Sequence, residues 1–76
     1  MFYCIAKKKH TNTYNYFDFK TEHEARSFTQ GVAIYLKTYK VYFSRKIKSN
    51  MKPFEESTKK AIIIELDHDL ELGTNL

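Results

Sequence analysis

The sequence predicts an α+β fold, ββαββ, in which an antiparallel sheet carries one amphipathic helix packed on one face. Three observations predict it: apolar residues alternate with a period of two in both halves, a helix-start motif stands at Thr21, and a helical period follows it. We expect residues 1–76 to form a single small domain, with residues 67–76 as an acidic tail or an extension of the last strand.

The first two predicted strands form a hairpin. Phe2 to Lys8 is an apolar stretch, residues 9–12 are polar and typical of a turn, and Thr13 to Phe19 alternates in polarity. In the second strand, Phe17 and Phe19 are expected to face the helix and the tyrosines to face away.

A helix is predicted to begin at Thr21. Thr21 and Glu24 have the spacing of a capping box, in which each residue satisfies a free backbone N–H group of the other. Apolar residues then recur every three or four positions from Ala25 to Tyr39, which predicts about five turns. Gly31 interrupts this pattern, and we expect it to mark close packing of the helix against the sheet.

Two further strands are expected. Lys40 to Lys48 alternates again and predicts a third strand, in which Arg45 on the inward side requires a carboxylate partner, a sheet end or a contact between molecules. Residues 49–60 contain the only proline and predict a connection with one helical turn. From Ala61 the alternation resumes and predicts a long fourth strand, with Ile62 and Ile64 facing the helix and Ile63 facing away.

Charge is divided unevenly along the chain. Residues 1–60 hold all 13 lysines and arginines and five acids, a net charge of +8, whereas residues 61–76 carry four acids and a net charge of −4. A basic body of this kind favours phosphate or an acidic protein as its partner. The single Cys4 forms no intrachain disulfide, and no apolar run approaches the length of about 20 residues that spans a bilayer. We therefore expect a cytoplasmic protein with no membrane partner.

The sequence offers no catalytic apparatus. His10, His23 and His68 are scattered, and nucleophile motifs and glycine-rich phosphate loops are absent. The acidic stretch from residue 65 to residue 71 lacks a second ligand cluster for a metal ion. We therefore expect a binding module that is not an enzyme, with no cofactor and no metal.

Our leading hypothesis is nucleic-acid binding, to DNA or RNA, through an uncovered sheet face. Tyrosine rings there can stack on bases while lysines neutralise phosphates, although the same tyrosines can equally stabilise the sheet or a dimer. The expected contact residues are Lys7, Lys8, Lys9, Tyr14, Tyr16, Tyr42, Lys46 and Lys48.

The alternative hypothesis is an inhibitor or antitoxin-like protein of a virus or mobile element, acting in the host cytoplasm. The heavy use of Lys, Asn, Tyr, Phe and Ile fits an AT-rich coding sequence, and together with the small size and the lack of a catalytic motif it suggests this class. It would block a host protein through its edge strand, its helix or its acidic C-terminal face, and a homodimer would use the same edge. The expected protein contacts are Ile63, Glu65, Asp67, Asp69 and Glu71.

The segment Phe19 to Phe28 resembles the strand-to-helix passage of the arm-type DNA-binding domains of tyrosine integrases. The similarity consists of the Thr21 cap and the helix face, without the glycine-rich turns of that family. Neither functional hypothesis depends on this resemblance.

Overall fold

The computed structural model describes the backbone of residues 1–74 and the side chains of residues 1–67. It contains four strands and two helices: β1 (Phe2–Lys8), β2 (Tyr14–Phe19), α1 (Glu22–Val32), β3 (Tyr39–Ser44), β4 (Lys52–Pro53) and α2 (Glu56–Thr74). The predicted α+β class is confirmed, and α1 packs on one face of the sheet. No helix in the described part of the chain has the length and apolar character needed to span a membrane.

The sheet has the strand order β3-β1-β2-β4 and is mixed. β1 pairs antiparallel with β2 and β3, with Cys4 between Phe17 and Phe43, whereas the two-residue β4 runs parallel to β2. The sequence had predicted a purely antiparallel sheet, but the observed sheet includes this one parallel pair. Its central strand is β1, so the hydrogen bonds of β1 are satisfied on both sides.

The hydrophobic core lies between the sheet and the helices. Since side chains in strands alternate between faces, Cys4, Phe17 and Phe19 all point toward α1. The three- and four-residue spacing of Ala25, Phe28 and Val32 places these residues on one helix face toward them. Ile62 of α2 completes the buried cluster.

The N-cap predicted at Thr21 is confirmed, but the Glu24 carboxylate pairs with the Thr21 hydroxyl instead of the backbone N–H group that a capping box predicts. The Glu24 backbone N–H donates to Thr21 Oγ1 at 3.2 Å, and the Thr21 hydroxyl donates to Glu24 Oε1 at 2.9 Å. The helix is shorter than predicted because it ends at Val32, and turns over residues 33–38 lead back to β3. The apolar spacing continues into those turns since Tyr35 and Leu36 still pack on the core.

The predicted fourth strand is wrong: residues 61–72 belong to α2. The period of two came from four consecutive apolar residues, Ala61 to Ile64, followed by acids in alternation. Burial follows three- and four-residue steps instead, with Lys59, Ile62 and Leu66 turned toward the protein. Ile64, expected in the core, is 67% exposed.

Gly31 does provide a close contact, but with α2 and not with the sheet. A Cβ atom at position 31 would lie 2.5 Å from Leu66 Cδ2, so the glycine lets the two helices approach. At the start of α2, Lys59 Nζ donates to the Asp18 backbone oxygen at 2.6 Å and lies 4.5 Å from the centre of the Phe19 ring. These contacts fix α2 beside α1.

The third strand is shorter than the predicted Lys40 to Lys48. Ser44 ends it with a tight turn, in which the Ser44 hydroxyl donates to the Lys46 carbonyl and accepts from the Lys46 N–H group. Arg45 then forms an ion pair with Glu22 at the start of α1, and its guanidinium lies 5.3 Å from the centre of the Phe43 ring. The predicted carboxylate partner of Arg45 is therefore Glu22.

Candidate nucleic-acid interface

The sheet face opposite α1 carries tyrosines and lysines in three cross-strand rows, written from β3 through β1 to β2. We call this the tyrosine face. Its rows are Ser44, Tyr3 and Asp18; Tyr42, Ile5 and Tyr16; and Lys40, Lys7 and Tyr14.

Residues 45–51 cross the tyrosine face. They connect β3 and β4, which are the two outer strands, and run from Ser44 beside Tyr3 to Lys52 beside Asn15. Since α1 packs directly on one face and the connection joins the two outer strands, we infer that the segment passes over the other face. Ile5 on that face is accordingly 0% exposed.

The tyrosines on this face differ in accessibility. Tyr3 and Tyr16 are half-buried, and their rings meet edge to face with centroids 5.6 Å apart. Tyr42 is 44% exposed. Partial burial raises the pKa of Tyr42 above its ordinary value, and repulsion between its phenolate and that of Tyr14 raises it further. Tyr14 and Tyr42 therefore approach each other across β1, on the part of the face nearest Lys7 and Lys40.

Backbone hydrogen bonds gather further lysines at this end of the sheet. The Lys9 N–H group donates to the Thr38 carbonyl at 2.8 Å, which holds the β1–β2 turn against the loop before β3. Within the turn, the Lys8 N–H group donates to the Thr13 carbonyl and the Thr11 hydroxyl donates to the Lys8 carbonyl. His10 closes this turn in the left-handed backbone conformation, with a φ of 63°.

Five lysines consequently lie around one end of the sheet, and we call this group the lysine end: Lys7, Lys8, Lys9, Lys37 and Lys40. Three of them, Lys9, Lys37 and Lys40, line an open concavity of about 540 Å³ that lies toward the α1 side of the sheet, since its other lining residues are Ala33, Tyr39 and Val41. Within the described side chains, residues 1–67, none of the five forms an ion pair. Their positive charge is therefore available to an external anion.

The predicted nucleic-acid contacts fall into two groups. Tyr14, Tyr16, Tyr42 and Lys7 share the tyrosine face, and Lys8 and Lys9 adjoin it at the turn. Lys46 and Lys48 lie in the crossing segment, beyond the end of β3, and both are exposed. Ser44, at the start of that segment, is at the opposite end of the sheet from Lys7.

The predicted protein contacts lie on a helix instead of a strand. Ile63, Glu65 and Asp67 are exposed positions of α2. The side chains of Asp69 and Glu71 lie outside the described residues. Residues 61–72 therefore provide no edge strand for pairing with another chain.

Sequence reasoning left Lys37, Lys40 and Tyr3 out of the site. The sequence did indicate that Tyr3 lies on this face, because Tyr3, Ile5 and Lys7 are alternate residues of one strand. Lys40 was placed in a strand, but its pairing with Lys7 depends on the strand order. Lys37 lies in a loop, and only the tertiary contact between that loop and the β1–β2 turn places it beside Lys9.

The arrangement has few means of chemical catalysis. Burial raises the pKa of the Cys4 thiol to about 11, and a hydrogen bond with Thr29 offsets part of this effect. A thiol with that pKa is a poor nucleophile near neutral pH. The side chains that the structure describes include no group of three histidines, cysteines or acids able to hold a metal ion. Comparison with protein-family models, curated proteins and solved structures finds no match for this chain.

Proposed function

We propose that this chain is a non-enzymatic binding module that holds single-stranded nucleic acid at the corner formed by the lysine end and Tyr42. The observation that carries the proposal is that Lys7 and Lys40 occupy the cross-strand row next to the exposed Tyr42, at the end of the sheet where Lys8, Lys9 and Lys37 also lie, and that none of these lysines forms an ion pair within residues 1–67. Lysine ammonium groups neutralise phosphates, and a tyrosine ring stacks on a base that is free of a duplex.

Single strands suit this corner better than a duplex. A base reaches the Tyr42 ring only if it is unstacked, because the ring stands on a sheet face and not on an element that enters a groove. The crossing segment covers the middle of the tyrosine face, so the surface accommodates one or two bases and not a long stacked run. Phosphates on either side would contact Lys7 and Lys40 in the same row.

Fluorescence anisotropy with a labelled single-stranded oligonucleotide tests this proposal. We expect the logarithm of the binding constant to fall linearly with the logarithm of salt concentration. Lys7→Gln or Lys40→Gln should each reduce that slope by about 0.7, the value for one phosphate contact to a single strand. Tyr42→Ala should weaken binding by about 1–3 kcal/mol, the contribution of one stacked base.

The matched control is Lys20→Gln, which removes the same charge from an exposed position after the far end of β2. It should leave both affinity and slope nearly unchanged. A flat salt dependence, or equal losses for Lys20→Gln and Lys40→Gln, would contradict the proposal. DNA and RNA oligonucleotides of one sequence, each as single strand and duplex, identify the preferred ligand.

The location that fits this function is the cytoplasm, where single-stranded nucleic acid is present and the lone Cys4 stays reduced. The inhibitor hypothesis remains a second proposal. Deleting residues 67–76 separates the two, since loss of a protein partner supports an inhibitor and tighter nucleic-acid binding supports an acidic shield.

A further inference from the structure

A groove of about 560 Å³ runs between α1 and α2, away from the tyrosine face. Its apolar lining comes from the sheet and from both helices: Phe19, Phe28, Ile63 and Leu66. Phe19 and Phe28 are buried and form the floor, whereas Ile63 is 36% exposed at one wall. The close contact between Gly31 and Leu66 holds the helices near each other and fixes the width of the groove.

The rim of the groove is acidic, in contrast to the rest of this basic chain. Glu24 of α1 and Asp67 of α2 stand on its two walls, His23 lines it beside Glu24, and none of the 13 lysines and arginines lines it. The Glu24 carboxylate accepts a hydrogen bond from the Thr21 hydroxyl, and neither carboxylate forms an ion pair within residues 1–67. An apolar floor between two carboxylates that carry no ion pair within residues 1–67 is complementary to an apolar side chain flanked by cations.

We propose that this groove binds an amphipathic helix of a partner protein, in which an apolar stripe is bordered by lysines or arginines. Helices commonly dock by laying an apolar face into a groove of this kind. The apolar anchor would contact Ile63 and Leu66, while its basic neighbours would pair with Glu24 and Asp67. This surface is separate from the lysine end, since the groove and the lysine-lined concavity share no lining residue.

The test uses a labelled synthetic peptide of about 14 residues, four helical turns, built from leucine and lysine, and a second peptide with glutamate in place of lysine. We expect the lysine peptide to bind at least about tenfold more tightly. Two matched pairs of variants locate the site. Ile63→Ser should weaken binding about tenfold and Ile64→Ser should not, because Ile64 lies outside the groove.

The second pair removes one charge from each of two exposed positions on the same helix. Asp67→Asn should weaken lysine-peptide binding several-fold more than Glu65→Gln, which does not line the groove. If Ile63→Ser reduces thermal stability, this second pair decides whether the groove is the binding site. Both of its substitutions replace one exposed polar side chain by another and should leave the fold intact. Lys40→Gln should not alter peptide binding, which separates this proposal from nucleic-acid binding.

Three results would overturn the inference. The first is equal affinity for the two peptides, and the second is an equal effect of Asp67→Asn and Glu65→Gln. The third is sedimentation of the protein alone as a dimer that Ile63→Ser converts to a monomer, which would identify a second copy of the chain as the occupant.

Discussion

The two faces of the sheet use aromatic residues in opposite ways. The face under α1 carries phenylalanines that stack into a continuous core: the Phe17 ring lies 4.8 Å from Phe28 and 4.3 Å from Phe54, centre to centre. The opposite face carries tyrosines, of which Tyr42 remains 44% exposed. Tyr39, at the start of β3, is the exception, since its register with Lys8 places it on the α1 side.

The two faces differ because tyrosine carries a hydroxyl group that phenylalanine lacks. A phenylalanine ring is most stable when fully removed from water, whereas a tyrosine needs a hydrogen-bond partner for its oxygen and is best placed where the ring packs and the hydroxyl meets solvent. Phenylalanine therefore marks the face that stabilises the fold. Tyrosine, with lysines in the adjacent row, marks the face available for a ligand.

The largest expected loss of stability comes from a substitution on the phenylalanine face. Phe17→Ala should reduce the free energy of unfolding by about 3–5 kcal/mol, because it leaves a cavity among tightly packed rings. Tyr42→Ala should cost less than about 1 kcal/mol, while still weakening nucleic-acid binding. Urea denaturation of both variants measures this contrast. Equal losses of stability would mean that the two faces do not differ in the way described.

Ile5→Ala tests whether the crossing segment makes part of the tyrosine face behave as a core. We expect a loss of about 2–4 kcal/mol, close to the Phe17 value, because Ile5 is fully buried beneath that segment. Thr13→Ala, at an exposed position before β2, serves as the control and should change stability little. A cost below about 1 kcal/mol for Ile5→Ala would show that residues 45–51 do not cover it.

Alkaline pH should reduce the stability of the folded protein by favouring ionisation of Cys4, which lies on the phenylalanine face. Burial raises the pKa of its thiol from 9.0 to about 11, so the folded state holds the proton that the unfolded state releases. This contribution to stability is complete below pH 9 and is lost as the pH rises toward 11, by up to about 1.4 kcal/mol per pH unit.

Unfolding free energies at about pH 8 and about pH 10.5, for the protein and for Cys4→Ala, isolate the effect from other titrating groups. The variant should lose less stability over this interval. An identical pH dependence of the two proteins would indicate that Cys4 is accessible to water in the folded state.

The smallest expected loss of stability comes from a substitution in the wall of the groove between α1 and α2. Gly31→Ala should destabilise the protein by about 1 kcal/mol net, since the gain in helix propensity only partly offsets the clash with Leu66. The double variant Gly31→Ala with Leu66→Ala should show coupling, because removal of the leucine relieves the clash. Thermal unfolding of the four-protein cycle measures this, and strict additivity would contradict the contact.

Local sequence patterns predicted much of the first half of the fold. The alternation of Phe17 and Phe19 and the Thr21 cap depend on neighbours within a few residues, so these features were readable directly. The fourth strand was mispredicted because four consecutive apolar residues fit either period. The helix-forming context, with Glu56 at the first turn and Lys59 three residues later, indicated α2 instead.

The candidate site was predictable only in part. The tyrosines and the run of lysines at residues 7–9 follow from strand alternation and charge. Lys37 and Lys40 join them only because β3 pairs with β1, a contact between residues more than 30 positions apart. The groove lined by Ile63 and Asp67 required α2 to be a helix and to lie beside α1.

The sequence by itself determined which residues of the second strand face the helix, where α1 begins, and that the protein is basic with an acidic end, because these properties arise from local spacing and composition. The tertiary structure alone decided the strand order, the path of residues 45–51 over Ile5 and the meeting of Gly31 with Leu66. Those features depend on which distant surfaces exclude water together, and a local pattern carries no information about its remote partner.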